Sequence, residues 1–211
     1  DEQGNLFYII AGAEVITWNE KAHQFSYRHN FFRQKENWRI NDFVQQPGTG
    51  NYWMAIEGGG LAVYNTTSGK LSYAGSNTEN INSVDRFREL SCNNIFFDNQ
   101  HRLWTASTGN SFLINCFQMD SNKFYLNNFR LSVPGNRHVD IKRFFQQKDG
   151  PVWVYGLRLF AKHLKDRAAF QFVDNSYKYN YSIAYEMLHC LYEDREKNIW
   201  IGTSLGLSKL V

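Results

Sequence analysis

The histidines, acids and cysteines of this 211-residue sequence are its candidates for chemistry, and their spacing offers little. Six histidines occur without H-x-H or H-E-x-x-H spacing, so the sequence predicts no metal site. His138 and Asp140 would share one face of a strand, which leaves an acid–base or metal pair open beside a solvated loop edge. A G-x-S-x-G nucleophile motif is absent from the sequence. We therefore predict no catalytic residue, no metal and no cofactor.

The cysteines and the longest glycine run have simple structural explanations. Cys92, Cys116 and Cys190 are irregularly spaced without C-x-x-C, so we expect small buried hydrophobes rather than a disulfide framework or zinc ligands. The run Gly58–Gly60 resembles a phosphate loop, but such a loop precedes a helix, and here a strand is expected to follow.

Composition and charge limit the class of protein. Aromatic residues make up 17% of the chain, which favours pleated, half-buried surfaces. The formal net charge is +3 and the basic residues are scattered, so a nucleic-acid partner is not expected. The apolar runs are too short to cross a bilayer, and the sequence does not open on a signal peptide. We expect either a cytosolic protein or one whose export signal lies outside this sequence.

One short unit recurs along the chain at intervals of 46 to 51 residues. The repeats are centred on five aromatic residues: Phe7, Trp53, Trp104, Trp153 and Trp200. Glycine stands three residues before the aromatic in three repeats, and aspartate stands six residues before it in three repeats. These residues predict a hairpin whose turn is closed by a glycine of positive φ and by an aspartate that accepts hydrogen bonds from the turn.

Further strands complete each unit. We predict first strands such as Asn94–Phe97 and Leu188–Glu193, a third strand such as Leu61–Tyr64 and a fourth such as Leu71–Ala74. The total is 18 strands: four first, five second, five third and four fourth. Four short strands in each unit of about 45–50 residues are typical of a propeller blade. We predict an all-β fold in which residues 1–211 form one β-propeller segment of four to five four-stranded antiparallel blades, within a larger ring.

The last repeat carries a family resemblance. Residues 193–207 run EDREKNIWIGTSLGL, which resembles the two-component regulator propeller repeat, E-D-x-x-G-x-[IL]-W-[IV]-G-T-x-x-G-L, and departs from it chiefly at Lys197. The resemblance implies the periplasmic sensor region of a bacterial hybrid two-component system, often one that responds to glycans. It also implies that the larger ring has seven blades. The parent protein is expected to carry a membrane span and a cytoplasmic histidine kinase elsewhere, with no enzyme activity in this segment.

Candidate ligand contacts lie in the linkers, where the repeats differ in sequence. The repeating aromatics could stack on sugars, but their fixed strand position favours packing between blades, and the turn aspartates are expected to be structural. Linkers between blades carry the residues that we assign to ligand binding: Arg33, Trp38, Arg137, His138, Tyr177, Tyr179 and Tyr181. Aromatic, arginine and histidine side chains suit sugar rings and hydroxyls. The alternative is that they pack the linkers down or form a subunit contact.

Three functions remain open at this stage. The first is a sensor domain that binds an oligosaccharide or another small-molecule signal, with further blades and domains of the same chain as partners and a homodimer as the assembly. The second is a propeller enzyme, a lyase or hydrolase. The third is a pure protein-interaction scaffold.

Overall fold

The computed structural model describes most of the 211 residues. The residues outside the description are 2–3, 11–13, 31, 89, 91, 108–112, 133–137, 166, 174–182, 184 and 211, together with the side chains of Glu14 and His29.

Eighteen β-strands, one short α-helix and one turn of 3-10 helix occur in the described part of the chain. The strands of the first three repeats are β1 (Phe7–Ile10), β2 (Glu14–Asn19), β3 (Gln24–Ser26), β4 (Ile40–Gln45), β5 (Tyr52–Ile56), β6 (Gly60–Asn65), β7 (Lys70–Tyr73), β8 (Asn94–Phe97), β9 (Arg102–Ala106), β10 (Leu113–Gln118) and β11 (Lys123–Arg130). The strands of the last two are β12 (Asp140–Gln146), β13 (Val152–Leu157), β14 (Leu159–His163), β15 (Phe170–Phe172), β16 (Leu188–Glu193), β17 (Ile199–Thr203) and β18 (Gly206–Leu210). The helix α1 spans Asn82–Arg86, and the 3-10 turn spans Tyr27–His29.

These strands form five small antiparallel sheets in which neighbours in sequence are neighbours in space. Sheet A is β1-β2-β3, sheet B is β4-β5-β6-β7, sheet C is β8 to β11, sheet D is β12 to β15, and sheet E is β16-β17-β18. The predicted all-β fold and its propeller blades are confirmed, and so is the predicted number of first, second, third and fourth strands. Sheet A begins at its second strand and sheet E ends at its third, so these two blades have three strands rather than four.

The chain divides into two compact units. One comprises residues 1–107 and 115–127 and carries sheets A and B with most of sheet C, and the other comprises residues 108–114 and 128–211 and carries sheets D and E. The seven-bladed ring and the single segment over residues 1–211 stay predictions.

The repeating aromatics pack between sheets. Trp53 is 1% exposed and meets Phe97 of sheet C edge-on at a ring-centroid distance of 5.6 Å. Phe7 of sheet A lies 5.1 Å from Phe43 of sheet B. Trp153 shares a buried cluster with residues of sheets D and E. The predicted packing role is therefore confirmed for these residues.

The turn before each aromatic departs in one repeat from the expected glycine geometry. The third residue before the aromatic has positive φ in four repeats: +80° at Gly4, +71° at Gly50, +56° at His101 and +67° at Lys197. The expectation is wrong for Gly150, whose φ is not positive. Glycine is needed there for space, because a Cβ would lie 2.7 Å from the Cβ of Gln147.

Two of the three cysteines are buried as predicted. Cys92 and Cys116 are 1% and 0% exposed, whereas Cys190 is exposed, so the prediction is wrong for Cys190. The reason lies in β16, where a β-bulge between Leu188 and Cys190 interrupts the strand register on an uncovered face of sheet E.

The exposure of the cysteines predicts the reactivity of their thiols. Burial raises the pKa of both Cys92 and Cys116 to about 12, and the thiolate is the reactive form. We expect a thiol-specific reagent at pH 8 to label one thiol, Cys190, in the folded chain and three after denaturation. A Cys190→Ser variant is the control. Rapid labelling of that folded variant would contradict the burial of the other two.

Candidate functional site

A buried carboxylate organises the turn before β9. Asp98 accepts hydrogen bonds from the backbone N–H groups of Gln100 and Arg102, both at 2.9 Å. Its other oxygen accepts from Arg102 Nε at 2.6 Å and from Trp104 Nε1 at 2.7 Å. The side chain of Asp98 is 0% exposed, and burial of a charge is tolerated when it is paired in this way. This aspartate is structural, as the sequence predicts.

The bond to the indole N–H recurs in every repeat with a tryptophan. Its acceptors are Asp98 at 2.7 Å, Asp194 at 2.8 Å, Gln46 at 2.9 Å and Gln147 at 3.2 Å. In the repeat with Phe7, Asp1 instead accepts from Asn5 and from the Tyr52 hydroxyl. Sequence reasoning missed this link. The available signal was that Asp or Gln precedes each of the four repeating tryptophans by six or seven residues.

Asp194 in sheet E makes the same set of bonds in a more open setting. Burial alone would raise the pKa of its carboxyl, but hydrogen bonds from the Asn198 side chain, the Trp200 indole and the backbone N–H groups of Asn198 and Glu196 hold it at about 2. The ordinary value is 3.8.

This depressed pKa predicts a loss of stability in acid. A carboxyl whose pKa is lower in the folded chain stabilises it above the unfolded value, and that contribution disappears as pH falls from about 4 to about 2. We expect denaturant unfolding of the Asp194→Asn variant to depend less on pH in this window than that of the parent chain. Equal pH dependence in both would contradict the assignment.

The linker before sheet B holds two predicted ligand residues, which differ in exposure and in packing. Arg33 is exposed, whereas Trp38 is partly buried and meets Tyr73 edge-on at 5.0 Å. Lys35 Nζ lies 4.7 Å from the centre of the same Tyr73 ring, a cation–π distance. Gln34 Nε2 donates to the Trp38 carbonyl at 2.9 Å and fixes the turn between them. The result is a surface cluster of Lys35, Trp38 and Tyr73, in which Trp38 both packs the linker and keeps a partly exposed ring.

The other predicted ligand residues are mostly beyond what the structure describes. Arg137, Tyr177, Tyr179 and Tyr181 lie outside the described residues, and their roles stay predictions. His138 is exposed in the loop before β12, which begins at Asp140. Because His138 precedes β12, His138 and Asp140 do not share one face of a strand. The alternative, an exposed loop edge, is the observed setting of His138.

Neither a cluster of metal-ligating side chains nor a helix long enough to span a membrane occurs in the described part of the chain. No group of three or more His, Cys, Asp or Glu side chains there could hold a metal ion. The one described α-helix has five residues and is too short to span a bilayer.

The sheets are blades of a β-propeller, and the last repeat also matches a known family in sequence. Residues 182–204 match the family model described as Two component regulator propeller. The chain thus carries a repeat of that family, as the resemblance of residues 193–207 predicts. A search of curated proteins finds no match.

Solved structures extend the likeness of fold to the whole chain. The extracellular domain of a protein assigned as a hybrid two component system of B. thetaiotaomicron matches with a TM-score of 0.66 and 16% identity, over 100% of this chain and 26% of that one. A second such domain from B. thetaiotaomicron matches with a TM-score of 0.66 and 16% identity, over 98% of this chain and 26% of that one. A protein assigned as a gluconolactonase matches with a TM-score of 0.65 and 12% identity, over 99% of this chain and 71% of that one. This chain spans about a quarter of the length of the two B. thetaiotaomicron domains.

Proposed function

We propose that this chain is a ligand-sensing segment of a hybrid two-component sensor. The observation that carries the proposal is the match of residues 182–204 to the two component regulator propeller. The likeness of fold to extracellular domains assigned to such systems supports it. The segment lies in the periplasm, responds to a glycan-derived signal and passes it to a histidine kinase of the parent protein, and it is not itself an enzyme.

The linker cluster suits contact with a saccharide. Tyr73 holds the Trp38 ring in place, so an aromatic surface is available for stacking with little loss of side-chain freedom. Lys35 lies over the same Tyr73 ring and Arg33 is exposed in the same linker, and both side chains supply donors for hydroxyl or acidic groups of a sugar. Arg137, His138, Tyr177, Tyr179 and Tyr181 are further proposed ligand contacts.

Signal transfer requires a ligand that distinguishes two states. The bound signal favours one of two arrangements of a sensor homodimer, and only its difference in affinity for the two can shift them. Further blades of a seven-bladed ring and the other domains of the parent chain are the partners through which the shift reaches the kinase.

Calorimetric titration against neutral and acidic oligosaccharides tests the proposal. We expect one class to bind, and Trp38→Ala to weaken it about tenfold, equivalent to about 1.4 kcal/mol. Arg33→Ala and Tyr179→Ala should also weaken it. Trp18→Ala is the matched control, because Trp18 is a partly buried tryptophan of sheet A outside the linkers.

Three results would contradict the proposal. Absence of binding across the panel would remove the saccharide signal. Unchanged affinity in Trp38→Ala, Arg33→Ala and Tyr179→Ala would remove the linkers from the ligand face. Conversion of an oligosaccharide to products would favour the enzyme instead.

A further inference from the structure

The linker between sheets A and B carries more positive than negative charge beside Trp38. Residues 31–39 contain three basic side chains and one acidic side chain: Arg33, Lys35, Arg39 and Glu36. Arg39 is paired with Glu57, at 3.6 Å between Nη1 and Oε2. Two exposed basic residues therefore remain against one exposed acidic residue, and the surface around the partly exposed indole is positive.

Lys35 and Trp38 belong to one turn and share one neighbour, Tyr73. Nζ of Lys35 lies 4.7 Å from the centre of the Tyr73 ring, and the Trp38 ring meets the same ring edge-on at 5.0 Å. Within the turn, the backbone N–H of Trp38 donates to the Lys35 carbonyl at 3.2 Å. Because the ammonium and the indole contact the same ring, a saccharide that stacks on the indole reaches the ammonium within the length of a disaccharide.

The support under both groups is part of sheet B and its core. Tyr73 is the last residue of β7, and its backbone bonds to Ser76. Trp38 and Tyr73 both pack against a buried cluster that includes Ile40 and Met54. Side chains that are already held in place lose little freedom when a ligand binds.

The Lys35 ammonium has donors available for a further partner. None of the ion pairs among the described side chains involves Lys35, and Lys35 is exposed. Hydrogen bonding by Lys35, and then by Ser76, lowers the pKa of the Tyr73 hydroxyl from its ordinary value of 10.0. An ammonium has three donors and no acceptor. Its preferred partner is a negatively charged acceptor, because hydrogen bonds between charged groups are roughly twice as strong as neutral ones.

The positive charge distinguishes three kinds of saccharide. An amino sugar that carries a positive charge would be repelled by Lys35 and Arg33. A neutral sugar can stack on Trp38 but gains nothing from the net charge of the linker. An acidic sugar gains both the stacking contact and the ionic contact, so it fits the surface best.

We propose that the signal bound at the cluster of Lys35, Trp38 and Tyr73 is an acidic saccharide. A sugar ring stacks on Trp38, and a carboxylate or sulfate group accepts hydrogen bonds from Lys35. This inference rests on the proposed function, because it concerns the same site, and it adds the chemical class of the ligand.

Calorimetric titration with two matched pairs of oligosaccharides tests the inference. The first pair is oligogalacturonate and its methyl ester, and the second is a sulfated galactan oligosaccharide and its desulfated form. Each pair keeps the sugar rings and changes the charge. We expect the acidic member of at least one pair to bind about fivefold more tightly than its neutral partner, as for a good exposed ion pair, and added salt to reduce this preference. The pair that shows the preference identifies the group as carboxylate or sulfate.

Substitution of Lys35 separates recognition of charge from stacking. We expect Lys35→Gln to remove most of the preference for the acidic member and to leave the affinity for the neutral member nearly unchanged. Lys35→Arg should keep the preference, because it keeps the charge. Lys21→Gln is the matched control, because Lys21 is an exposed lysine in the turn between β2 and β3.

Three results would overturn the inference. They are equal affinities within both pairs, a full preference retained in Lys35→Gln, and an equal loss of affinity for both members in Lys35→Gln. The last result would show that Lys35 only holds the aromatic rings in place. In each of these cases saccharides still bind and the proposed function stands, whereas absence of binding to all four oligosaccharides would contradict the proposed function as well.

Discussion

Replacement of Asp98 by alanine is expected to destabilise the chain by about 4 kcal/mol. The substitution removes the acceptor of Trp104 Nε1, and Trp104 is 0% exposed, so water cannot replace the bond. It also removes the partner of Arg102, whose side chain is 14% exposed. A buried donor left without an acceptor costs about 1–3 kcal/mol, and breaking a buried ion pair costs about 3–5 kcal/mol. Denaturant unfolding followed by tryptophan fluorescence measures the loss.

The same substitution at Asp194 is the matched control. Asp194 makes the corresponding turn and indole bonds, but Trp200 is partly exposed and water reaches the site. We expect a smaller loss for Asp194→Ala than for Asp98→Ala. Asp194 also pairs with the neutral Asn198 where Asp98 pairs with Arg102. Equal losses would show that neither the buried indole nor the ion pair sets the cost, which would contradict the roles given to them.

Replacement of Gly60 by alanine is expected to cost roughly 3 kcal/mol more than replacement of Gly58 in the same hairpin. Both glycines have positive φ, +67° at Gly58 and +70° at Gly60, so the backbone strain of about 1–2 kcal/mol is shared. A Cβ at Gly58 meets nothing within 4 Å. A Cβ at Gly60 would clash with the carbonyl oxygen of Phe87 and lie 3.3 Å from the Cα of Arg88, and backbone atoms cannot rotate away.

This pair of variants tests the position of the linker that follows sheet B. That linker contains α1 and buries Val84 and Phe87 at 0% exposure among residues of sheets B and C. Thermal and denaturant unfolding of both variants gives the two free energies. Equal costs at Gly58 and Gly60 would show that the backbone of Phe87 and Arg88 does not contact the hairpin at Gly60.

Much of the fold could be predicted because the repeat is local. The turn residues and alternating strands around each tryptophan depend on neighbours in sequence, and the predicted strands Asn94–Phe97 and Leu188–Glu193 have the observed bounds. The bond from the indole N–H to an Asp or Gln side chain escaped prediction because it links residues six or seven apart through a folded turn. The short helix α1 escaped it because five residues leave no detectable period, and tertiary packing decides their conformation.

The candidate site was less predictable than the scaffold. The linker composition could not indicate that the Trp38 ring packs edge-on against Tyr73, because the two residues are 35 positions apart. The expected burial of Cys190 failed because the pattern of residues does not reveal which sheet face remains uncovered. Linkers lack the repeated context that made the strands predictable.

Our central proposal is that the repeated residues hold the blades together and that the linker residues bind the ligand. Paired measurements on Trp104→Phe and Trp38→Ala test it most directly: the free energy of unfolding, and the affinity for the oligosaccharide that the parent chain binds best. We expect Trp104→Phe to lose the indole hydrogen bond and stability but to keep its affinity while folded. We expect Trp38→Ala to lose about tenfold in affinity, with a smaller loss of stability than Trp104→Phe. Lost affinity in folded Trp104→Phe together with full affinity in Trp38→Ala would contradict it.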